Sequence, residues 1–194
     1  TVPDQVDKLR GSFGLARVVL VGDRGMLTQT RIEQLRAYPQ LGWISALRSS
    51  AIARLMAAGA IDRSLFDQQD IAEITWPELP GERLVVCFNP LLAEDRRRTR
   101  AELLEATDKQ LEKIAAAVAR RKQKPLSKDE IGVKAGKVVN RYKMAKHFTL
   151  TIEDGRFEWH RKEASITAEA ALDGFYVVRT SESARDLARD DVVR

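Results

Sequence analysis

Apolar positions change period several times along the chain, and each change marks an element. Residues 2–11 set Val2, Val6 and Leu9 about one helical turn apart with polar residues between, and Gly11 supplies a helix end. Residues 16–21 (Ala16-Arg17-Val18-Val19-Leu20-Val21) form an unbroken, β-branched apolar run of strand length, the pattern of a strand buried on both faces. Gly22-Asp23-Arg24-Gly25 breaks it. Thr28 stands where a hydroxyl caps a helix reaching about Tyr38, which Pro39 stops. Residues 41–47 form a second strand, and Ser49 and Ser50 open a helix ending near Gly59. This tempo of helices and strands predicts an α/β layer with parallel strands.

After Asp62 the pattern shifts. Short strands at 71–75 and 83–88 are separated by Pro77, Pro80-Gly81 and Pro90. A long helix over 93–122 follows, with Leu104, Leu111, Ile114 and Val118 on one face, until Pro125 ends it. Ser127 and Glu130 stand at capping-box spacing and open a second helix over 127–142. Residues 146–162 read as a hairpin turning at Asp154-Gly155. Ile152 is set opposite Phe157, and Leu150 opposite Trp159, on one face; Thr149, Thr151, Glu158 and His160 fall on the other. Asp173-Gly174 introduces a last strand, 175–180, and Ala184, Leu187, Ala188 and Val192 repeat with helical period to the final residues. The chain starts without a methionine and stops inside that pattern, so it reads as cut from something longer.

Composition adds little to this. Both the apolar and the charged fractions are ordinary for a globular protein, and no apolar run is long enough to span a bilayer. The single cysteine, Cys87, excludes an internal disulfide and suits a reducing cytoplasm. The net charge of +5 permits a polyanionic partner without demanding one.

Asp23 is the first candidate for chemistry, because an aspartate just past the carboxyl end of a parallel strand stands where α/β sheets place ligands and catalytic groups. The plainer reading is a turn, with its carboxylate bonded to local backbone amides. Two motifs fail here. Gly22-Asp23-Arg24-Gly25 lacks the spacing of a dinucleotide fingerprint, and Asp23 through Thr28 supplies only the first aspartate of the aspartate phosphohydrolase pattern.

Phe13-Gly14-Leu15-Ala16-Arg17-Val18-Val19-Leu20-Val21-Gly22-Asp23-Arg24-Gly25-Met26-Leu27-Thr28, the helix after it, and Trp43-Ile44-Ser45-Ala46-Leu47-Arg48 resemble the DDE transposases of bacterial insertion sequences, in the subgroup with an insertion between the second aspartate and the catalytic glutamate. Glu82-Arg83-Leu84-Val85-Val86-Cys87-Phe88-Asn89-Pro90 and Leu172-Asp173-Gly174-Phe175-Tyr176-Val177-Val178-Arg179-Thr180 extend the resemblance over nearly the whole chain. It implies an α/β fold (α+β overall): a partial RNase H-like core at 1–62, an inserted mixed region at 63–170, and a return strand with the start of a truncated helix at 171–194. Asp23 then matches the second aspartate of the triad, a catalytic and metal-binding position, and the first lies upstream of Thr1. The family glutamate belongs to a helix with the pattern Tyr-x2-Arg-x3-Glu-x6-Lys. Tyr176 and Arg179 begin that pattern, but Ser183 holds the glutamate position and Glu182 comes one place early. Tyr176 and Arg179 also lie in an expected strand, where helical spacing has no meaning, so the true motif is expected beyond Arg194.

The implied reaction is metal-dependent DNA cleavage and strand transfer, with two divalent ions about 3.5–4 Å apart. Hard oxygen ligands suit Mg2+ or Mn2+. One aspartate cannot hold that pair, so this segment alone is expected to be inactive. Duplex DNA is the expected partner, with a second copy of the intact protein beside it, in the cytoplasm and without a membrane.

Among the basic clusters, the runs at 96–100 and 120–124 read as solvated helix surface. Residues 131–147 contain no acid, and Lys134, Lys137 and Arg141 share a helix face; with Lys143 and Lys146 they are the expected phosphate contacts. His147 and His160 are expected diagonally across the hairpin in structural roles, since no ligand stands at zinc-like spacing. Trp43, Trp76 and Trp159 read as core, and Cys87 as a buried inert thiol. The alternative from another class is a non-catalytic, basic nucleic-acid-binding or self-associating protein, with Asp23 a turn residue and the 93–122 helix pairing with a partner.

Overall fold

The computed structural model describes residues 8, 11–38 and 40–193, which fall into two units: one runs to Asn89 and resumes at Gly174, the other is Pro90–Asp173. In chain order the elements are β1 (Val18–Val21), α1 (Gln29–Leu35), β2 (Leu41–Ala46), α2 (Ser49–Ala57), β3 (Ile71–Ile74), β4 (Arg83–Phe88), α3 (Pro90–Arg120), α4 (Lys128–Arg141), β5 (Phe148–Glu153), β6 (Arg156–Arg161), α5 (Glu163–Ala170) and β7 (Phe175–Thr180). The chain is mixed α/β. Most of the helix expected at 2–11, and Pro39, the expected stop of the helix that follows Thr28, lie outside the described residues.

The first unit is a five-stranded sheet in the order β1-β2-β7-β4-β3. Only β1 and β2 run parallel; β2–β7, β7–β4 and β4–β3 are antiparallel. The parallel pairing that the helix–strand tempo before Asp62 predicted is thus found between β1 and β2, and the antiparallel addition of β7, β4 and β3 makes the sheet mixed. β3 and β4, expected within the inserted region at 63–170, pair into this same sheet, because β7 returns between β4 and β2 and supplies both with a partner. On one face Val18 and Leu20 pack with Leu41 and Trp43 beneath Ile32 and Leu35 of α1. On the other, Ile44, Val85, Cys87 and Val178 meet Leu187 and Val192 from the last residues.

Several expectations shift in detail. β1 is half-buried, not buried on both faces: its outward residues Val19 and Val21 are exposed, as an edge strand with one described neighbour allows. Thr28 occupies the N-cap of α1, yet its hydroxyl makes no capping hydrogen bond. The helical pattern after Thr180 forms only a 3-10 turn at Arg189–Val192. The backbone is extended at Ala188, which interrupts the pattern, and Arg83 donates to the carbonyls of Glu182 at 2.9 Å and Leu187 at 3.0 Å just before that break.

In the second unit α3 starts at Pro90, whose fixed φ and missing N–H are tolerated in a first turn. Leu104, Leu111 and Val118 from α3, Ile131, Ala135 and Val139 from α4, and Phe148 and Phe157 from the hairpin form one core. The Ser127–Glu130 capping box closes as its spacing predicts. The hairpin register pairs Ile152 with Phe157 and Leu150 with Trp159. Its turn has a second task, since Asp154 Oδ1 accepts from the Lys128 amide at 2.6 Å and ties the hairpin to the start of α4.

Candidate functional site

Parallel pairing of β1 with β2, in register from Val18↔Leu41 to Val21↔Ile44, opens both carboxyl ends onto one edge of the sheet. The Gly22 amide makes a last bond to the Ile44 carbonyl at 3.1 Å, and the chain leaves the sheet at Asp23. Asp23 is exposed, and its Oδ1 accepts from the amides of Gly25 and Met26, both at 2.7 Å. The Met26 amide, then that of Gly25, holds the carboxyl below the usual aspartate range. Asp23 is thus a fixed, ionised carboxylate. Its Oδ1 is engaged in a turn, and its Oδ2 makes no hydrogen bond among the described residues. It can offer an oxygen to a hard cation but cannot cage one. Among the described residues no three His, Cys, Asp or Glu side chains stand close enough to hold a metal.

Glu182 lies at the other end of the strands. Antiparallel β7 pairs Thr180 with Ile44, which carries the following residues back past Trp43 toward Gly42 at the start of β2. There Glu182 is buried, with Arg17 Nη2 at 2.5 Å from its Oε2. A Cβ on Gly42 would fall 1.7 Å from Glu182 Oε1, so glycine makes room for this ion pair. Tyr176 and Arg179 lie on β7, where helical spacing brings no groups together. Tyr176 faces Cys87 across the ladder, and burial, with the Cys87 bond second, pushes its hydroxyl up to about 12. Burial likewise raises the Cys87 thiol.

The edge at Asp23 is an open cleft of about 620 Å³ lined by Asp23, Arg24, Gly25, Arg48, Ser49 and Ser50. A neighbouring cleft of about 630 Å³ shares Arg24, Arg48 and Ser50 and continues to Arg54, Trp76 and Arg179. Arg24 and Arg48 carried no expectation of their own, although both sit within the quoted blocks directly after a strand; their position after two parallel strands was the available signal. Trp76, expected in the core, is only half-buried and forms a wall of the second cleft. Trp43 is core, and Trp159 is half-buried with its Nε1 donating to Asp108 Oδ1 at 2.8 Å.

Lys134, Lys137 and Arg141 are exposed on α4, while Ile131, Ala135 and Val139 of the same helix are buried. Arg141 also lies over the Tyr142 ring, 5.6 Å from its centroid. Lys143 is exposed and adopts φ 56, a left-handed conformation usually left to glycine. Lys146 differs, being ion-paired to Glu169. The register, Thr149 opposite His160 with the Lys162 amide bonded to the His147 carbonyl, sets the two histidines diagonally, but His147, at the end of a 3-10 turn before β5, is fully buried and His160 on β6 is exposed. His147 Nδ1 lies 3.1 Å from Ser165 Oγ, and Nε2 lies 2.8 Å from Glu169 Oε2 in poor hydrogen-bond alignment. In the 96–100 run, Arg97 pairs with Glu94, Arg98 with Asp95 and Arg100 with Asp173.

No family model, no curated protein and no solved structure matches the chain. Among the described residues no helix is long and apolar enough to cross a membrane.

Proposed function

We propose that the chain is part of a DDE-type transposase with an RNase H-like core, and that Asp23 is one of the carboxylates that hold its catalytic Mg2+ or Mn2+. The observation that supports this best is the position of Asp23: it is ionised, exposed, and directly past a strand paired in parallel with its neighbour. Its Oδ2, which makes no hydrogen bond among the described residues, is a hard ligand of the required kind. The basic face of α4 adds a surface of the right sign for duplex DNA, with Lys134, Lys137, Arg141 and Lys143 exposed. The flanking coding sequence tests this reading. It requires an aspartate on an upstream strand and Tyr-x6-Glu-x6-Lys soon after Arg194, and the absence of both overturns it.

The Asx turn made by Asp23 Oδ1 favours a second reading, in which Asp23 only shapes the chain and the protein is a non-catalytic nucleic-acid binder. The two readings part at Oδ2. A turn residue has no use for it, and a metal ligand does.

A further inference from the structure

Of the side chains on the Asp23 edge, Arg24 and Arg48 are the least accounted for. Arg17, Arg36, Arg54, Arg83 and Arg179 of the same unit each reach a carboxylate. Arg24 and Arg48 are exposed, line the same cleft, and form no ion pair among the described residues. They arrive there because each follows a parallel strand, Arg24 after β1 and Arg48 after β2.

We propose that this cleft is a phosphodiester-binding site, in which Arg24 and Arg48 grip the nucleic-acid backbone and seat it beside Asp23. The inference rests on the reading of this edge as a DNA site and names the groups that hold the strand there. Two guanidinium groups match phosphate oxygens through paired N–H donors, and the hydroxyls of Ser49 and Ser50 line the same wall. Two cations against the single carboxylate Asp23 leave the cleft net positive. Its openness suits a chain passing across the edge better than an enclosed small metabolite. Two arginines placed by the backbone at neighbouring strand ends, neither in an ion pair among the described residues, suit phosphate contacts, which position a protein on nucleic acid.

The test is the salt dependence of binding of a short DNA duplex to the whole chain, as wild type, as Arg24→Gln/Arg48→Gln and as Arg24→Lys/Arg48→Lys. Each phosphate contact contributes about 0.9 to the slope of log K against log salt. The glutamine pair should lower that slope by about 2 and weaken binding at least about fivefold at low salt, whereas the lysine pair keeps the slope. Nε–Hε resonances of Arg24 and Arg48 should shift on adding duplex. Both residues are exposed, so the glutamine variant should keep the wild-type unfolding midpoint. If wild type binds duplex and the glutamine pair binds identically, this inference is overturned while the transposase reading stands. If wild type binds no duplex, both fall.

Discussion

Arg179 and Glu82 form a buried two-point ion pair across the sheet, Nε to Oε2 at 2.7 Å and Nη2 to Oε1 at 2.6 Å. The guanidinium lies over the Trp43 ring, 5.0 Å from its centroid, and donates a further bond to Gln29 Oε1 at 3.1 Å. Arg36 reaches Glu82 from outside at 2.8 Å. One residue of β7 thus ties the turn before β4 to the start of α1. Glu82→Ala leaves a buried guanidinium without its counter-charge and should destabilise the protein by about 3–5 kcal/mol. Urea unfolding measures this, and a loss below about 1 kcal/mol would remove the pair from the account.

Lys143 holds a left-handed conformation that costs a side-chain-bearing residue about 1–2 kcal/mol. It closes α4, with its own amide bonding to Asn140 O and the Met144 amide to Val139 O. Lys143→Gly should therefore raise the unfolding free energy by about 1 kcal/mol. The same change should weaken duplex binding. A stabilised variant that binds as wild type would free Lys143 of any DNA role.

Lys134, Lys137 and Arg141 changed together to alanine should flatten the salt slope by about 2–3, in line with three lost phosphate contacts. Binding that keeps its slope would move the α4 contact elsewhere.

For Glu169, burial acts first and would raise its pKa, but the bond to Lys146 and the charges of Lys146 and His147 prevail, and its pKa falls below the ordinary value of 4.5. A carboxyl depressed on folding adds stability above its unfolded pKa, and that stability is lost as pH falls through the lower folded value. Thermal melts of Glu169→Gln should fall less steeply than wild type below pH 4.5 and lie lower at neutral pH. Parallel acid limbs for the two proteins would contradict this.

Local features were the most legible in the sequence. The hairpin register, the Ser127 capping box and the core face of α3 each depend on neighbours in sequence or on one helical period. The parallel β1–β2 pair could be read because a single helix connects them. The role of β7 could not. It begins at Phe175, a whole unit downstream of the end of β4 at Phe88, and pairs between β4 and β2, and nothing local to Phe175–Thr180 encodes those partners. The same limit hid the cleft: Arg24 and Arg48 are 24 positions apart and meet only through strand pairing. The terminal pattern is interrupted by an extended backbone at Ala188, beside carbonyls held by Arg83, a residue distant in sequence.

The most direct test of the central claim is metal-dependent cleavage of duplex DNA by the protein extended through its flanking coding sequence, compared with the same protein carrying Asp23→Asn. Asparagine keeps an Oδ1 that can accept from Gly25 and Met26, so the turn and the fold should survive while the charge that binds the cation is lost. The account predicts cleavage with Mg2+ or Mn2+ in the extended protein, none in Asp23→Asn at an unchanged unfolding midpoint, and none in the 194-residue chain itself. Undiminished cleavage by Asp23→Asn, or metal-dependent cleavage that tracks the purified 194-residue chain, would contradict it.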